Sequence, residues 1–212
     1  MIKFEYTEVF NFEGAIRGMR NPLNSWDKSD TYPEYDEYPW ITGPCIGPND
    51  LALMKKLIKA GSDHRKFMRQ IFVSVDITAP LYWWKEFDTY KVATVSNSCS
   101  TMHKIHSEPI TPHCFSIEHL STGEYLRFAD YVRFLEDIRL SYLDTNNKND
   151  WYMLIQLLPS SYNQRRTITL NYETLYNIYG SRRNHKLDEW SIGFMDWIKS
   201  LPYAEELIID RR

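Results

Sequence analysis

The sequence has no excess of basic residues and few cysteines. Its 25 Lys and Arg are outnumbered by 28 Asp and Glu, which gives a formal net charge of -3. The backbone of a polymeric nucleic acid is bound through a clustered excess of cations, so we expect no DNA or RNA partner. The cysteines, Cys45, Cys99 and Cys114, are odd in number and lack the paired spacing of a zinc site. We therefore expect no disulfide framework and a reducing compartment.

Long apolar runs are also missing. No stretch approaches the roughly 18 apolar residues of a membrane-spanning helix. The first residues, Met1 to Glu5, lack the apolar segment of a signal peptide. These absences predict a cytoplasmic protein without a membrane partner.

Four common motifs of nucleotide-binding proteins and hydrolases are absent: GxxxxGK[ST], GxGxxG, GxSxG and HExxH. Six histidines are present, and the closest pair, His103 and His106, has no matching carboxylate pattern. Solvated loop histidines are the commoner explanation, so no metal is expected. No catalytic residue is assigned.

Aromatic residues are abundant. They make up 15% of the chain, with 7 Trp and 15 Tyr. Aromatic rings can stack on planar ligands such as a nucleotide or a flavin. They can equally build a Tyr-rich core and an oligomer interface, which is the more common use. Composition leaves both explanations open.

Hydrophobic periodicity predicts an alternation of strands and helices. The predicted strands span residues 2–10, 71–77 and 165–170, with a possible fourth between 103 and 112. The predicted helices span residues 12–19, 51–60, 81–90, 127–144, 151–158, 171–181 and 187–201. Asp50 and Asn171 are predicted N-caps, and Gly61 ends the second helix.

A long segment without periodicity, residues 21–49, contains five prolines among Tyr, Trp and acidic residues. Loops of this length in compact domains are usually functional or disordered, and we predict an ordered insertion that packs against something. No internal repeat is present. We therefore predict a single domain over residues 1–212 that carries this inserted Pro/Tyr-rich loop.

The segment after Ala79-Pro80 is the most informative for function. A strand leads into an aromatic helix opened by proline, and a loop rich in Ser, Thr and Asn follows from Val92 to Thr101. Its hydroxyl and amide groups, with Lys91, suit a phosphate or the edge of a pyrimidine. Such loops also satisfy their own backbone, so both uses stay open.

The order of these parts resembles the flavin-dependent thymidylate synthase family. A helix ending at Gly61 precedes a strand and Ala79-Pro80, and the segment from Thr89 follows where the family has its signature Arg-His-Arg-x-x-Ser-x-Asn-Glu-x-Ser-x-Arg-Tyr. Downstream come a Leu158-Pro159 turn, a strand ending at Asn171 and a helix carrying Asn177 and Arg182. The resemblance covers residues 50–102 and 151–202.

Placed on the signature, Thr89-Tyr90-Lys91 stands where the family has Arg-His-Arg, and Cys99 stands at the second Ser. The resemblance implies a substrate site that contains Thr94, Ser96, Asn97, Cys99 and Arg182. It implies a cofactor site that contains Thr89, Tyr90, Lys91, Asn171 and Asn177. Glu173 departs from the family, which usually has a basic residue there. Apart from any ligand, Arg182 and Arg183 also suit a solvated helix end.

The resemblance implies an α/β fold, with a mixed sheet flanked by helices, and a homotetramer. It further implies FAD as cofactor and a pyrimidine nucleotide such as dUMP as substrate for flavin-dependent methyl transfer. The alternative is a catalytically inactive homologue, such as a phage-type sensor of nucleotide pools that still binds a nucleotide. A third hypothesis is an interaction protein that uses the loop from Trp26 to Trp40.

Overall fold

The computed structural model describes residues 2–32 and 43–210. Four strands form one antiparallel sheet in the order β1-β2-β4-β3. These strands are β1 (Lys3–Phe10), β2 (Phe72–Pro80), β3 (Val95–Ser98) and β4 (Asn163–Asn171). The predicted α/β class with flanking helices is confirmed, and the sheet, which was predicted to be mixed, is antiparallel.

Most of the remaining described residues are helical. The α-helices are α1 (Phe12–Arg20), α2 (Pro48–Lys59), α3 (Leu81–Phe87), α4 (Thr101–Lys104), α5 (Thr122–Thr145), α6 (Lys148–Leu157), α7 (Tyr172–Arg182) and α8 (Met195–Lys199). Single 3₁₀ segments lie at Asn21–Leu23, Trp26–Lys28, Arg65–Gln70 and Pro112–Cys114, and π-helical segments at Glu189–Phe194 and Glu205–Ile209. Within the described ranges no helix has the length and apolar character needed to cross a membrane.

The central strands β2 and β4 follow the predicted pattern of alternation. Val73, Val75 and Ile77 are fully buried along β2, as a period-2 sequence requires. At one end of the pair, the Tyr172 amide donates to the Ile71 carbonyl at 3.0 Å. At the other end, the Leu81 amide donates to the Tyr162 carbonyl at 3.0 Å. These bonds fix the register that places α3 and α7 at the strand ends.

The chain divides into two compact units. Unit 1 comprises the described residues within Met1–Lys3, Ile77–Thr89 and Asn97–Arg166, and unit 2 those within Phe4–Asp76, Tyr90–Ser96 and Thr167–Arg212. The core of unit 1 is formed by Ile105, Ile110, Phe115, Val132, Leu135, Ile138 and Leu154. In unit 2, the Trp190, Phe194 and Trp197 rings follow one another at 5.2 and 5.1 Å. The single domain over residues 1–212 stays a prediction.

Asp50 is not the N-cap of α2, so that prediction was wrong. The helix begins two residues earlier, at Pro48, with Gly47 as N-cap, because proline is well suited to the first helical turn. Asp50 is buried instead, and its carboxylate accepts a hydrogen bond from Arg20 Nε at 2.6 Å. The helix ends at Lys59 with Ala60 as its C-cap, so Gly61, which was predicted to be the C-cap, is the residue after it. Gly61 adopts φ +102°, a left-handed conformation that favours glycine.

The prediction of a possible strand between residues 103 and 112 was also wrong. A short strand, β3, forms earlier, and α4 follows from Thr101 to Lys104. Ser100 caps α4 by accepting a hydrogen bond from the His103 amide at 3.1 Å. The predicted loop over residues 21–49 contains two 3₁₀ segments and the start of α2, and its residues 33–42 lie outside the described part of the chain.

Candidate functional site

The segment that carries the proposed site leaves α3 at Phe87. Thr89 closes that helix, because its Oγ1 donates to the Glu86 carbonyl at 2.7 Å. Tyr90 follows half-buried, Lys91 and Val92 are exposed, and Ala93 adopts a left-handed φ of 56°. A left-handed backbone is uncommon for Ala and marks a sharp local turn. The turn lies between the predicted cofactor residues Thr89 to Lys91 and the predicted substrate residues from Thr94 onward.

Within unit 2, Tyr90 and Arg182 are in direct contact. Arg182 Nε donates to Tyr90 Oη at 2.8 Å. The guanidinium carbon lies 5.6 Å from the centre of the Tyr90 ring and 5.1 Å from that of Trp190, within the range of a cation–π interaction. A hydrogen bond and two aromatic rings therefore fix the plane of this guanidinium.

The start of α7 meets the same segment of unit 2. Thr174 Oγ1 donates to the Val92 carbonyl at 3.4 Å. Asn171 is buried and caps α7, since its Oδ1 accepts from the Thr174 amide at 3.0 Å. The side-chain oxygen of this predicted cofactor residue is thus used for capping. Asn177 lies exposed on α7, and its carbonyl accepts a hydrogen bond from Ser181 Oγ at 3.1 Å.

Thr94 holds a buried hydroxyl that lacks a hydrogen bond. Its Oγ1 is shielded from solvent and has no hydrogen-bond partner among residues 2–32 and 43–210. A buried polar atom left unpaired is costly and in native proteins usually has a partner or a functional reason. Ser96 and Asn97 follow in β3, where both are exposed.

Cys99 belongs to unit 1 and lies beside β4. Its amide donates to the Arg165 carbonyl at 2.9 Å, and its carbonyl accepts from Gln164 Nε2 at 2.9 Å. Arg166, which the sequence analysis missed, lies with its guanidinium carbon 4.2 Å from the Trp84 ring centre and donates to Asp88 Oδ1 at 2.7 Å. The polar run at the start of β4 was the available signal.

Glu173 forms ion pairs with two arginines in unit 2. Arg65 Nε donates to Glu173 Oε1 at 3.0 Å, and Arg69 Nε donates to Glu173 Oε2. Burial alone would raise the pKa of Glu173, but hydrogen bonds from Arg69 and Arg65 outweigh that effect and lower it. Glu173 is therefore ionised at neutral pH. Of the described residues, none forms a group of three or more His, Cys, Asp or Glu suited to a metal ion.

The chain has the fold of the flavin-dependent thymidylate synthases. The solved structure of thymidylate synthase X (ThyX) from Helicobacter pylori with FAD and dUMP matches it at a TM-score of 0.70, covering 99% of this chain and 96% of that chain. A second structure of that enzyme with FAD and dUMP matches at 0.68, covering 99% and 97%. Identity is 16% in both, so the likeness shows the fold. No family model and no curated protein matches the sequence.

The residues present do not fit the pyrophosphate of a flavin dinucleotide, which calls for several cations. At the signature positions, Thr89 supplies a hydroxyl and the Tyr90 oxygen accepts from Arg182. Lys91 adds one exposed point charge, which cannot replace a forked guanidinium. Glu173 stands at the position where the resemblance implies a basic residue, and its carboxylate occupies the two nearby arginines, Arg65 and Arg69. This donor set argues against FAD.

Proposed function

We propose that this chain is a cytoplasmic nucleotide-binding protein that recognises a pyrimidine nucleotide such as dUMP and acts as a sensor of nucleotide pools. The observation that carries the proposal is the guanidinium of Arg182, which is hydrogen-bonded to Tyr90 and lies within cation–π distance of two rings. A guanidinium held in one plane suits two-point recognition of a phosphate or of a pyrimidine carbonyl.

Thr94, four residues after Tyr90 in the same segment, adds support to the proposal. Its unpaired Oγ1 is chemically suited to a pyrimidine, whose edge offers both donors and acceptors. Ser96 adds an exposed polar group on the same segment of unit 2. In a homotetramer, which we propose by analogy of fold, these groups would be completed by neighbouring chains. Light scattering would then give about four times the 25.3 kDa mass of one chain.

A thermal melt with added nucleotides tests the proposal. A ligand that binds the folded state at about 100 times its Kd adds about 2.7 kcal/mol, which raises the Tm of a chain this size by roughly 5–10 °C. We expect that shift with dUMP or another pyrimidine nucleotide and a smaller one with dAMP. No shift with any pyrimidine nucleotide would contradict the proposal.

Two variants assign the effect to the contact between Arg182 and Tyr90. Arg182→Lys keeps the charge and removes the planar fork, so we expect it to lose most of the nucleotide shift while lowering apo stability by about 1–2 kcal/mol. Tyr90→Phe keeps the ring but removes the oxygen that orients Arg182, and should weaken the shift in part. Arg183→Lys is the matched control, because Arg183 is exposed and should leave the shift unchanged.

Flavin-dependent methyl transfer is the second candidate, favoured by the fold match over 99% of the chain. The two functions predict different visible absorption spectra for the protein after incubation with FAD. Protein incubated with FAD and passed through a sizing column should show no absorbance near about 450 nm if our first proposal holds. A yellow protein that retains flavin in stoichiometric amount would favour the enzyme.

A further inference from the structure

A cleft of about 250 Å³ lies within unit 2. It is smaller than the roughly 300 Å³ at which sites for drug-sized ligands begin, so its ligand would be small. Its charged and aromatic lining consists of Lys55, Lys59, Arg65, Tyr176, Glu206 and Asp210. None of these residues contributes to the nucleotide site of the proposed function.

Contacts hold the Arg65 side chain in place in this lining and leave the two terminal nitrogens of its guanidinium available to a ligand. Its Nε donates to Glu173 Oε1 at 3.0 Å, and its guanidinium carbon lies 4.5 Å from the centre of the Tyr176 ring. Its two terminal nitrogens make no hydrogen bond to any residue that the structure describes. A guanidinium held in this way is prepared for a forked contact with a carboxylate or phosphate at little further entropic cost.

Two lysines extend the positive side of the cleft. Lys55 and Lys59 are one turn apart on α2, and both line the cavity. Neither forms a hydrogen bond or ion pair with another residue in the ranges 2–32 and 43–210. Lysines near a helix C-terminus are favoured by its dipole, but like charges four residues apart repel each other. An anion between them would remove that repulsion.

The remaining charges define the class of ligand. Glu206 and Asp210 place two carboxylates against three cations in one cleft. The complementary ligand is small, carries two anionic groups for the cations and presents one amine to the carboxylates. We propose that this cleft binds a free acidic amino acid, with L-glutamate as the probe. The assignment is independent of the nucleotide site.

Titration calorimetry of the full chain with L-glutamate tests the assignment. We expect saturable binding that glutarate, which lacks the amine, and γ-aminobutyrate, which lacks one carboxylate, do not reproduce. Lys59 is exposed and has no described partner, so Lys59→Gln should fold normally and lose affinity by on the order of tenfold. Glu206→Gln should also weaken glutamate binding, and it should narrow the preference for glutamate over glutarate.

Separate outcomes would overturn the assignment. If titration of the unmodified chain with L-glutamate gives no heat of binding, the charged side chains of the lining pair with one another in solution and bind no ligand. Binding of inorganic phosphate in preference to glutamate would exclude an amino-acid ligand. An affinity for glutamate in the Lys55→Gln/Lys59→Gln double variant equal to that of the unmodified chain would place the site elsewhere. Arg182→Lys should leave glutamate binding intact, so failure of the nucleotide proposal and failure of this one are distinguishable.

Discussion

Replacing Asp50 with Asn would measure what its ion pair with Arg20 contributes to the stability of unit 2. The Arg20 and Asp50 side chains are 4% and 0% exposed. Besides the bond from Arg20, Asp50 Oδ2 accepts hydrogen bonds from Ser29 Oγ at 2.8 Å and from Thr31 Oγ1 at 2.7 Å. The carboxylate therefore ties the segment after α1 to α2.

The expected loss is large because the site is buried. The side-chain NH2 of an Asn at position 50 would face Arg20, Ser29 and Thr31, which are themselves hydrogen-bond donors to this position. The substitution would also leave the buried Arg20 without a counter-charge. Breaking a buried pair by removing one partner costs about 3–5 kcal/mol. That is a considerable part of the roughly 5–15 kcal/mol that stabilises a typical folded protein. We expect Asp50→Asn to lower the free energy of unfolding by about 3–5 kcal/mol.

Urea unfolding at pH 7, followed by tryptophan fluorescence, provides the measurement. The control is Asp196→Asn, whose partner Lys199 lies at 2.8 Å with the two side chains 54% and 62% exposed. An exposed pair contributes at most about 1 kcal/mol. If Asp50→Asn costs no more than Asp196→Asn, the buried pair does not stabilise the fold as argued.

The pH dependence gives an independent check. Burial alone would raise the pKa of Asp50, but hydrogen bonds from Thr31, Ser29 and Arg20 outweigh it and lower the pKa. A lowered pKa in the folded state adds stability above the unfolded value of about 3.9, and this stability is lost as the pH falls through the folded value. The difference in free energy of unfolding between the unmodified chain and Asp50→Asn should therefore stay constant from about pH 5 to 8 and become smaller below about pH 4.

Two further changes test unit 2. Asn171→Ala removes the acceptor that caps α7 and should lower the free energy of unfolding in urea by about 1 kcal/mol. Asn171→Ser keeps an acceptor and should lower it by less. Equal losses in the two variants would mean that the cap is not the cause. Glu173→Gln leaves Arg65 and Arg69 without their shared carboxylate and should cost about 1–3 kcal/mol at pH 7. Because the pKa of Glu173 is lowered, that loss should shrink below about pH 4.3, and a pH-independent loss would refute the ionic explanation.

Local patterns predicted much of the fold. The alternation along β2 and the capping of α7 by Asn171 depend on residues that are neighbours in sequence, and both were found as expected. Asp50 shows the limit of such patterns. Its type and position suited an N-cap, but Arg20, 30 residues earlier, takes its carboxylate. A contact of that kind leaves no periodic signal in the sequence.

The candidate site was less predictable than the fold for the same reason. Tyr90 and Arg182 are separated by 92 positions, and only the family resemblance placed them in one site. The pairing of Glu173 with Arg65 spans 108 positions and had no local signal. The resemblance identified Glu173 as a departure from the family, whereas the two arginines that neutralise it became visible only in three dimensions.

The division into two units restricts how this chain could ever be shortened. The backbone passes from one unit to the other at 3/4, 76/77, 89/90, 96/97 and 166/167. No single cut can therefore release either unit as one continuous fragment, and a truncation made to isolate one would remove a piece of the other. Expression of halves, protease-derived fragments and fusions at internal boundaries should give insoluble material, so genetic dissection has to rely on point substitutions in the intact chain.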